Sequence, residues 1–235
     1  MTNPLDHRTR IKICGLTREQ DVDAAVAAGA DAVGFVMYEK SPRFVTPQRA
    51  AELARRLPPF VTPVLLFVNA GVDVVRAACD GIPSAMLQFH GDETPRQCQD
   101  AAGRRPYMRA ARVPLDAAQP FDLLEFAHHH SSAQAILVDA HVEGYGGGGK
   151  AFDWSRLPPS GNYHLVLSGG LTPANVTDGI VQVRPRCKTL AVDVSSGVEA
   201  AKGLKDAHKI NQFVAAVRAA DALLARSPNA LLSAT

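Results

Sequence analysis

The chain switches repeatedly between two hydrophobic periods. Short runs rich in Val, Ile, Leu and Phe alternate with alanine-rich stretches whose apolar positions return every three or four residues. Eight of the short runs read as strands: Ile11–Cys14, Ala32–Met37, Pro63–Val68, Ala85–His90, Tyr107–Arg109, Ala135–Asp139, His164–Ser168 and Thr189–Val194. Their starts lie about 20–30 residues apart, enough for one strand, one helix and two short loops. The segments VLLF, AILV and LVL are apolar at successive positions, as expected of parallel strands covered on both faces.

The stretches between carry helix signals. Thr17 is placed to cap the first helix, with Gln20 at the capping-box position and Gly29 just past the end. Thr46-Pro47 opens the second with proline at the first helical position, and Thr172-Pro173 repeats that arrangement after the seventh strand. The last helix is expected from about Asp206 to about Arg226, followed by a frayed tail. Eight such units without a dividing linker predict a single (β/α)8 TIM-barrel domain over 1–235, with an ordered core over about 10–226. A doubly wound open sheet is the alternative. It normally carries a GxGxxG or P-loop turn, and the first turn here, CGLT, has one glycine.

Composition narrows the class. A formal net charge of +2 over 235 residues is too near neutral to imply nucleic acid or an anionic membrane as partner. No apolar run approaches the roughly 18 residues of a membrane span. The N-terminal MTNPLDHRTR is polar and lacks a signal-peptide core, so a cytoplasmic location is expected. Cys14, Cys79, Cys98 and Cys187 form no CxxC pair, which leaves zinc and thioredoxin-like motifs unsupported and free thiols as the default.

In a barrel, functional residues gather at the C-terminal ends of strands. Five such ends carry polar or glycine-rich chemistry: Cys14-Gly15, His90-Gly91, Asp139, Ser168-Gly169-Gly170, and Asp193 with Ser195-Ser196-Gly197. The loops after the seventh and eighth strands are a frequent phosphate site, where Gly169, Gly170 and Gly197 let backbone N–H groups approach and Ser195 and Ser196 add hydroxyls. The alternative is a pair of plain tight turns.

Lys12 and Cys14 share one face of the first strand, which turns Lys12 into the barrel and calls for a partner carboxylate; Asp193 and Asp139 both qualify. A nearby cation favours thiolate at Cys14. Read without further context, Cys14 is a small packed hydrophobe or a base, and Asp139 a cap or an acid.

These residues lie in segments that together resemble the phosphoribosylanthranilate isomerase family. The segments are KICGLT at 12–17, GADAVGFVMYEKSPRFV at 29–45, LQFHG at 87–91, ILVDA at 136–140, GGGGKAFDW at 146–154, LSGGLTPANV at 167–176 and AVDVSSGVE at 191–199. The resemblance implies a barrel without metal or organic cofactor that rearranges N-(5-phosphoribosyl)anthranilate, an aminoaldose, to 1-(2-carboxyphenylamino)-1-deoxyribulose 5-phosphate in tryptophan biosynthesis. It implies Cys14 as general base and Asp139 as general acid. It also implies Arg43 as partner of the anthranilate carboxylate, Asp193 near the anthranilate nitrogen, and Gly169, Gly170, Ser195, Ser196 and Gly197 around the phosphate. His90 falls in a matched segment, as a structural residue or a substrate contact. To protonate the ring oxygen at neutral pH, an aspartic acid needs burial or a neighbouring negative charge, since its reference pKa is about 3.9.

The chain departs from the family's usual pattern in two places. A threonine commonly interrupts the glycine run of GYGGGGK at 144–150, and a proline is more usual in the AAKGLKD that follows VDVSSGVE. The glycine run reads as a substrate lid or as a plain surface loop. Two other functions suit a barrel of this kind. The related isomerase of histidine biosynthesis has an aspartate after its first strand and a second phosphate site near its third; here Cys14 and LFVNAGV stand there. A silent phosphosugar-binding barrel would not need Cys14, Asp139 and Arg43 together. His128–His130 read as a solvated surface run, Trp154 and Phe152 as packing, and the remaining cysteines as core or surface thiols. Monomer and homodimer both fit.

Overall fold

The computed structural model describes residues 8–116, 118, 121–141, 151–159 and 161–226. Eight parallel strands pair in chain order: β1 (Arg10–Cys14), β2 (Ala32–Val36), β3 (Thr62–Phe67), β4 (Met86–Phe89), β5 (Tyr107–Pro114), β6 (Ala135–His141), β7 (His164–Leu167) and β8 (Thr189–Val194). Pairing of β1 with β8, from Arg10↔Ala191 to Ile13↔Val194, closes the barrel and excludes an open sheet.

The helices are α1 (Glu19–Ala28), α2 (Pro47–Ala54), α3 (Val72–Asp80), α4 (Pro95–Ala102), α5 (Leu123–His129), α6 (Val176–Val183) and α7 (Ala207–Arg226). Between β6 and β7 the described residues hold a single 3-10 turn, Trp154–Arg156, where the (β/α)8 pattern leads one to expect an α-helix. After β8 a small hairpin, β9 (Glu199–Ala201) with β10 (Leu204–Lys205), precedes α7.

Strand alternation sorts the core into two compartments. Outward-facing Ile11, Ile13, Val33, Phe35, Leu65, Phe67, Leu87 and Phe89 pack beneath the helices. Inside the barrel lie Val64, Met108, Ala110, Leu137 and Val166, with Cys14, Val36, Leu66 and Val68 grouped separately. Each fully buried Leu or Phe side chain stabilises the fold by about 1.5–3 kcal/mol.

Three local expectations are corrected. β5 runs to Pro114, well past Arg109, because its arginines masked an apolar alternation: Arg109 is buried outside the barrel and donates to the carbonyls of Phe89, Ala110 and Gly91. Thr17 does not cap α1; its hydroxyl donates to Gly203 O, and Arg18 occupies the cap position. Thr172-Pro173 does not open α6, which starts at Val176. Instead Asn175 clamps the preceding turn, accepting from Thr172 N and donating to Gly170 O. Thr46 does cap α2 with Pro47 at its start, and Gly29 ends α1 in the left-handed conformation.

Candidate active site

The inward face of β1 carries Lys12 and Cys14, both buried. Lys12 Nζ donates to Asp193 Oδ1 at 2.8 Å, and Lys12 and Asp193 are register partners on adjacent strands. Asp193, rather than Asp139, is therefore its counter-charge. Cys14 lies opposite Gly34 of β2, and a Cβ on Gly34 would stand 2.7 Å from Cys14 Sγ and 3.1 Å from Lys12 Nζ. Glycine at this position makes the space for both functional groups.

Burial pushes the Cys14 thiol above its ordinary value. Lys12 pulls in the opposite direction, and Asp193 in turn opposes Lys12. The expected cation is present, but desolvation outweighs it, so the resting group is a thiol.

Asp139 stands near the end of β6, 6% exposed. Its Oδ2 shares a 3.0 Å hydrogen bond with His90 Nε2, and His90 Nδ1 lies 2.9 Å from Gln88 Nε2. With the Gln88 amide donating to Nδ1, the His90 Nε2–H donates to Asp139. Both ring nitrogens are thus engaged within the protein, and His90 serves the carboxyl rather than offering a free nitrogen to a ligand. The His90 bond leaves Asp139 Oδ1 outside the pair. Gly169, at φ +79°, passes so close that a Cβ would lie 2.7 Å from Asp139 Oδ1 and 2.5 Å from Ala140 N. The extended β5 also places Arg112 in register beside Asp139, with its guanidinium on Asp92.

Arg43 lies across the turn after β1: a Cβ on Gly15 (φ +77°) would meet Arg43 Cδ at 2.5 Å. Its guanidinium is held by Glu199, with Nε donating to Oε1 at 2.7 Å and Nη2 to Oε2 at 2.9 Å. Ser195 Oγ donates to Cys14 O, so its hydroxyl is already engaged. Gly169 and Gly170 both adopt positive φ, and a Cβ on Gly197 would overlap Leu171 O at 1.9 Å. The loops after β7 and β8 are therefore in direct contact and form one backbone-lined ledge.

The sequence matches the family model for N-(5'-phosphoribosyl)anthranilate isomerase over residues 11–216. The chain belongs to this family. The isomerase of Methylibium petroleiphilum is 66% identical over 220 residues, covering 94% of this chain and 99% of the relative. The Thermotoga maritima phosphoribosyl anthranilate isomerase structure is 40% identical with a TM-score of 0.79, covering 90% of this chain and 99% of that one. Another solved phosphoribosyl anthranilate isomerase, in complex with reduced 1-(o-carboxyphenylamino)-1-deoxyribulose 5-phosphate, is 36% identical with a TM-score of 0.73 and coverage of 90% and 99%.

Within this isomerase frame, Cys14, Asp139, His90, Asp193 and Arg43 are all buried at strand ends or the loops that follow them. Gln88, Arg112, Glu199 and Lys205 were missed. Gln88 sits one pleat before His90, within reach of strand alternation, and Glu199 ends the quoted VDVSSGVE segment beyond the 3-10 turn that follows β8. Lys205 and Arg112 carried no signal. The glycine run at 144–150 lies outside the described residues. His130 is a correction: it is buried against the Phe126 ring with centroids 4.6 Å apart, while His128 and His129 are exposed. Among the described residues no cluster has metal-ligand character, and no helix is long and apolar enough to cross a membrane. Trp154 and Phe152 are buried as packing residues, and the other three cysteines are all buried.

Proposed function

We propose that this isomerase carries out the Amadori rearrangement of N-(5-phosphoribosyl)anthranilate with Asp139 as general acid and Cys14 as general base. The observation that carries the reading is the pair of inward groups at the ends of β1 and β6, each with its own partner: Lys12 beside Cys14 and His90 beside Asp139.

Asp139 Oδ1, the oxygen not held by His90, passes a proton to the furanose ring oxygen. The anthranilate nitrogen then drives ring opening to the Schiff base. Cys14, in the fraction of molecules whose thiol has given its proton to solvent, takes the C2 proton, and the resulting enolamine tautomerises to the aminoketose. Proton transfer by positioned groups of this kind contributes about 10²–10⁴-fold. The second oxygen of Asp193, left open by Lys12, faces the anthranilate nitrogen. Backbone N–H groups of Gly169, Gly170 and Gly197, with the Ser195 N–H and the Ser196 hydroxyl, hold the phosphate; short glycine turns suit this because no Cβ blocks the approach. Arg43 takes the anthranilate carboxylate through the guanidinium edge that Glu199 leaves open.

The test is the fluorescence decay of freshly generated phosphoribosylanthranilate with wild type, Cys14→Ala and Asp139→Asn. A fall of at least about 100-fold in each variant, with unchanged folding, is expected. Turnover within about threefold of wild type in either variant would remove that residue from the chemistry.

A further inference from the structure

Arg43 is one member of a buried trio whose other members, Glu199 and Lys205, lie on the small hairpin after β8. Glu199 grips Arg43 along the Nε–Nη2 edge. Lys205 Nζ donates to Glu199 Oε1 at 2.8 Å and to Ser195 O at 3.0 Å, and its side chain has no exposure. The hairpin is fitted against the Arg43 segment. At its turn, Gly203 takes φ +79°, and a Cβ there would stand 2.7 Å from Pro42 O, one residue from Arg43. Thr17 holds the same turn through Gly203 O, and Asp21 accepts from Lys205 N.

An arginine already paired with a carboxylate is a neutral unit and has little attraction for a second carboxylate. The third charge changes this. With Lys205 the trio carries one net positive charge, in a buried setting where screening by salt is weak. Glu199 fixes one edge of the guanidinium through Nε and Nη2, and both of these bonds leave Nη1 outside the pair. The open edge is then a planar fork aimed in one direction, the geometry that a carboxylate accepts in bidentate fashion.

We propose that Glu199 and Lys205 are positioning residues that select an anionic ring substituent on the substrate: Glu199 orients Arg43, and Lys205 restores the positive charge that Glu199 cancels. This rests on the reading of Arg43 as partner of the anthranilate carboxylate. It makes the hairpin part of the specificity apparatus, although neither side chain touches the substrate.

The test compares binding of the aminoketose product with its 1-phenylamino counterpart, which lacks the ring carboxylate. Wild type, Lys205→Met, Glu199→Gln and the double variant are measured by calorimetry. Wild type is expected to prefer the carboxylated ligand by about tenfold or more, and Lys205→Met and Glu199→Gln to lose most of that preference, read in each variant as the ratio of its two affinities. Lys205→Met keeps the Arg43–Glu199 pair and so guards against failure to fold, whereas the double variant leaves Arg43 as the one charge of the trio. The double variant regains the charge but not the orientation, so its preference is expected to stay below that of wild type. Full preference retained in both single variants overturns the proposal and leaves the Arg43 reading standing. Tighter binding of the carboxylated ligand by Glu199→Gln also overturns it, because Glu199 would then be a competitor for Arg43. Equal binding of the two ligands by wild type overturns both readings.

Discussion

Lys12 Nζ donates to Asp193 Oδ1 at 2.8 Å across the strand pair that closes the barrel, with Cys14 on the same inward face of β1. Both side chains are nearly inaccessible, at 4% and 6% exposure. Removing one partner of such a pair strands a buried charge, at about 3–5 kcal/mol. Lys12→Met is therefore expected to lose stability of that order in urea unfolding, and Lys12→Met with Asp193→Leu to recover part of it. A loss below about 1 kcal/mol in the single variant would show that the pair contributes little to folding.

The pH profile of catalysis follows from Cys14. Its thiol is held above the ordinary value of 9.0, chiefly by burial. Below that pKa the thiolate fraction grows about tenfold per pH unit, so the residual kcat/KM of Asp139→Asn, which has no acid left to titrate, is expected to climb from neutral pH into the alkaline range. A residual kcat/KM of Asp139→Asn that stays flat over that range would show that a thiolate at Cys14 is not the base in the free enzyme.

Gly34 offers a steric test of the same group. A methyl there would stand 2.7 Å from Cys14 Sγ. Gly34→Ala is expected to lower kcat/KM by about tenfold to 100-fold, since displacing a catalytic atom by 1 Å costs on that scale. Gly71, with nothing within 4 Å of its Cβ position, is the control, and Gly71→Ala should leave the rate unchanged. Equal rates for both variants would mean that the Cys14 neighbourhood yields without penalty.

His130 governs a different property. Burial lowers its pKa from 6.5 to about 4, with the Arg109 charge acting in the same direction. The folded state therefore holds the neutral ring while the unfolded chain binds a proton between those values. Stability from this group is complete above pH 6.5 and is lost as pH falls toward 4. Unfolding free energy measured across that window is expected to decline with acid more steeply in wild type than in His130→Gln. Parallel curves would show that His130 is not titrating differently in the two states.

The strand and helix periods were legible because they depend on local spacing alone. β1 to β8 fall within two residues of their expected starts, since each lies between turn signals that need no distant partner. The end of β5 was hidden, because an arginine buried by carbonyl acceptors looks the same in sequence as one facing water. Thr17 illustrates the same limit: its hydroxyl serves Gly203, 186 positions away, instead of the adjacent helix.

By itself the sequence determined the barrel, the inward and outward faces of its first strand, the family and the strand ends where chemistry gathers. Periodicity, turn residues and short motifs carry that information along the chain. Only the tertiary structure decided which charges meet. Closure of β1 on β8 chose Asp193 over Asp139 for Lys12. The approach of β4 and β6 through the barrel joined His90 to Asp139, and the β9–β10 hairpin brought Glu199 and Lys205 to Arg43. Burial likewise decided the state of Cys14, because desolvation depends on everything packed around the sulfur and outweighs the one cation that spacing could reveal.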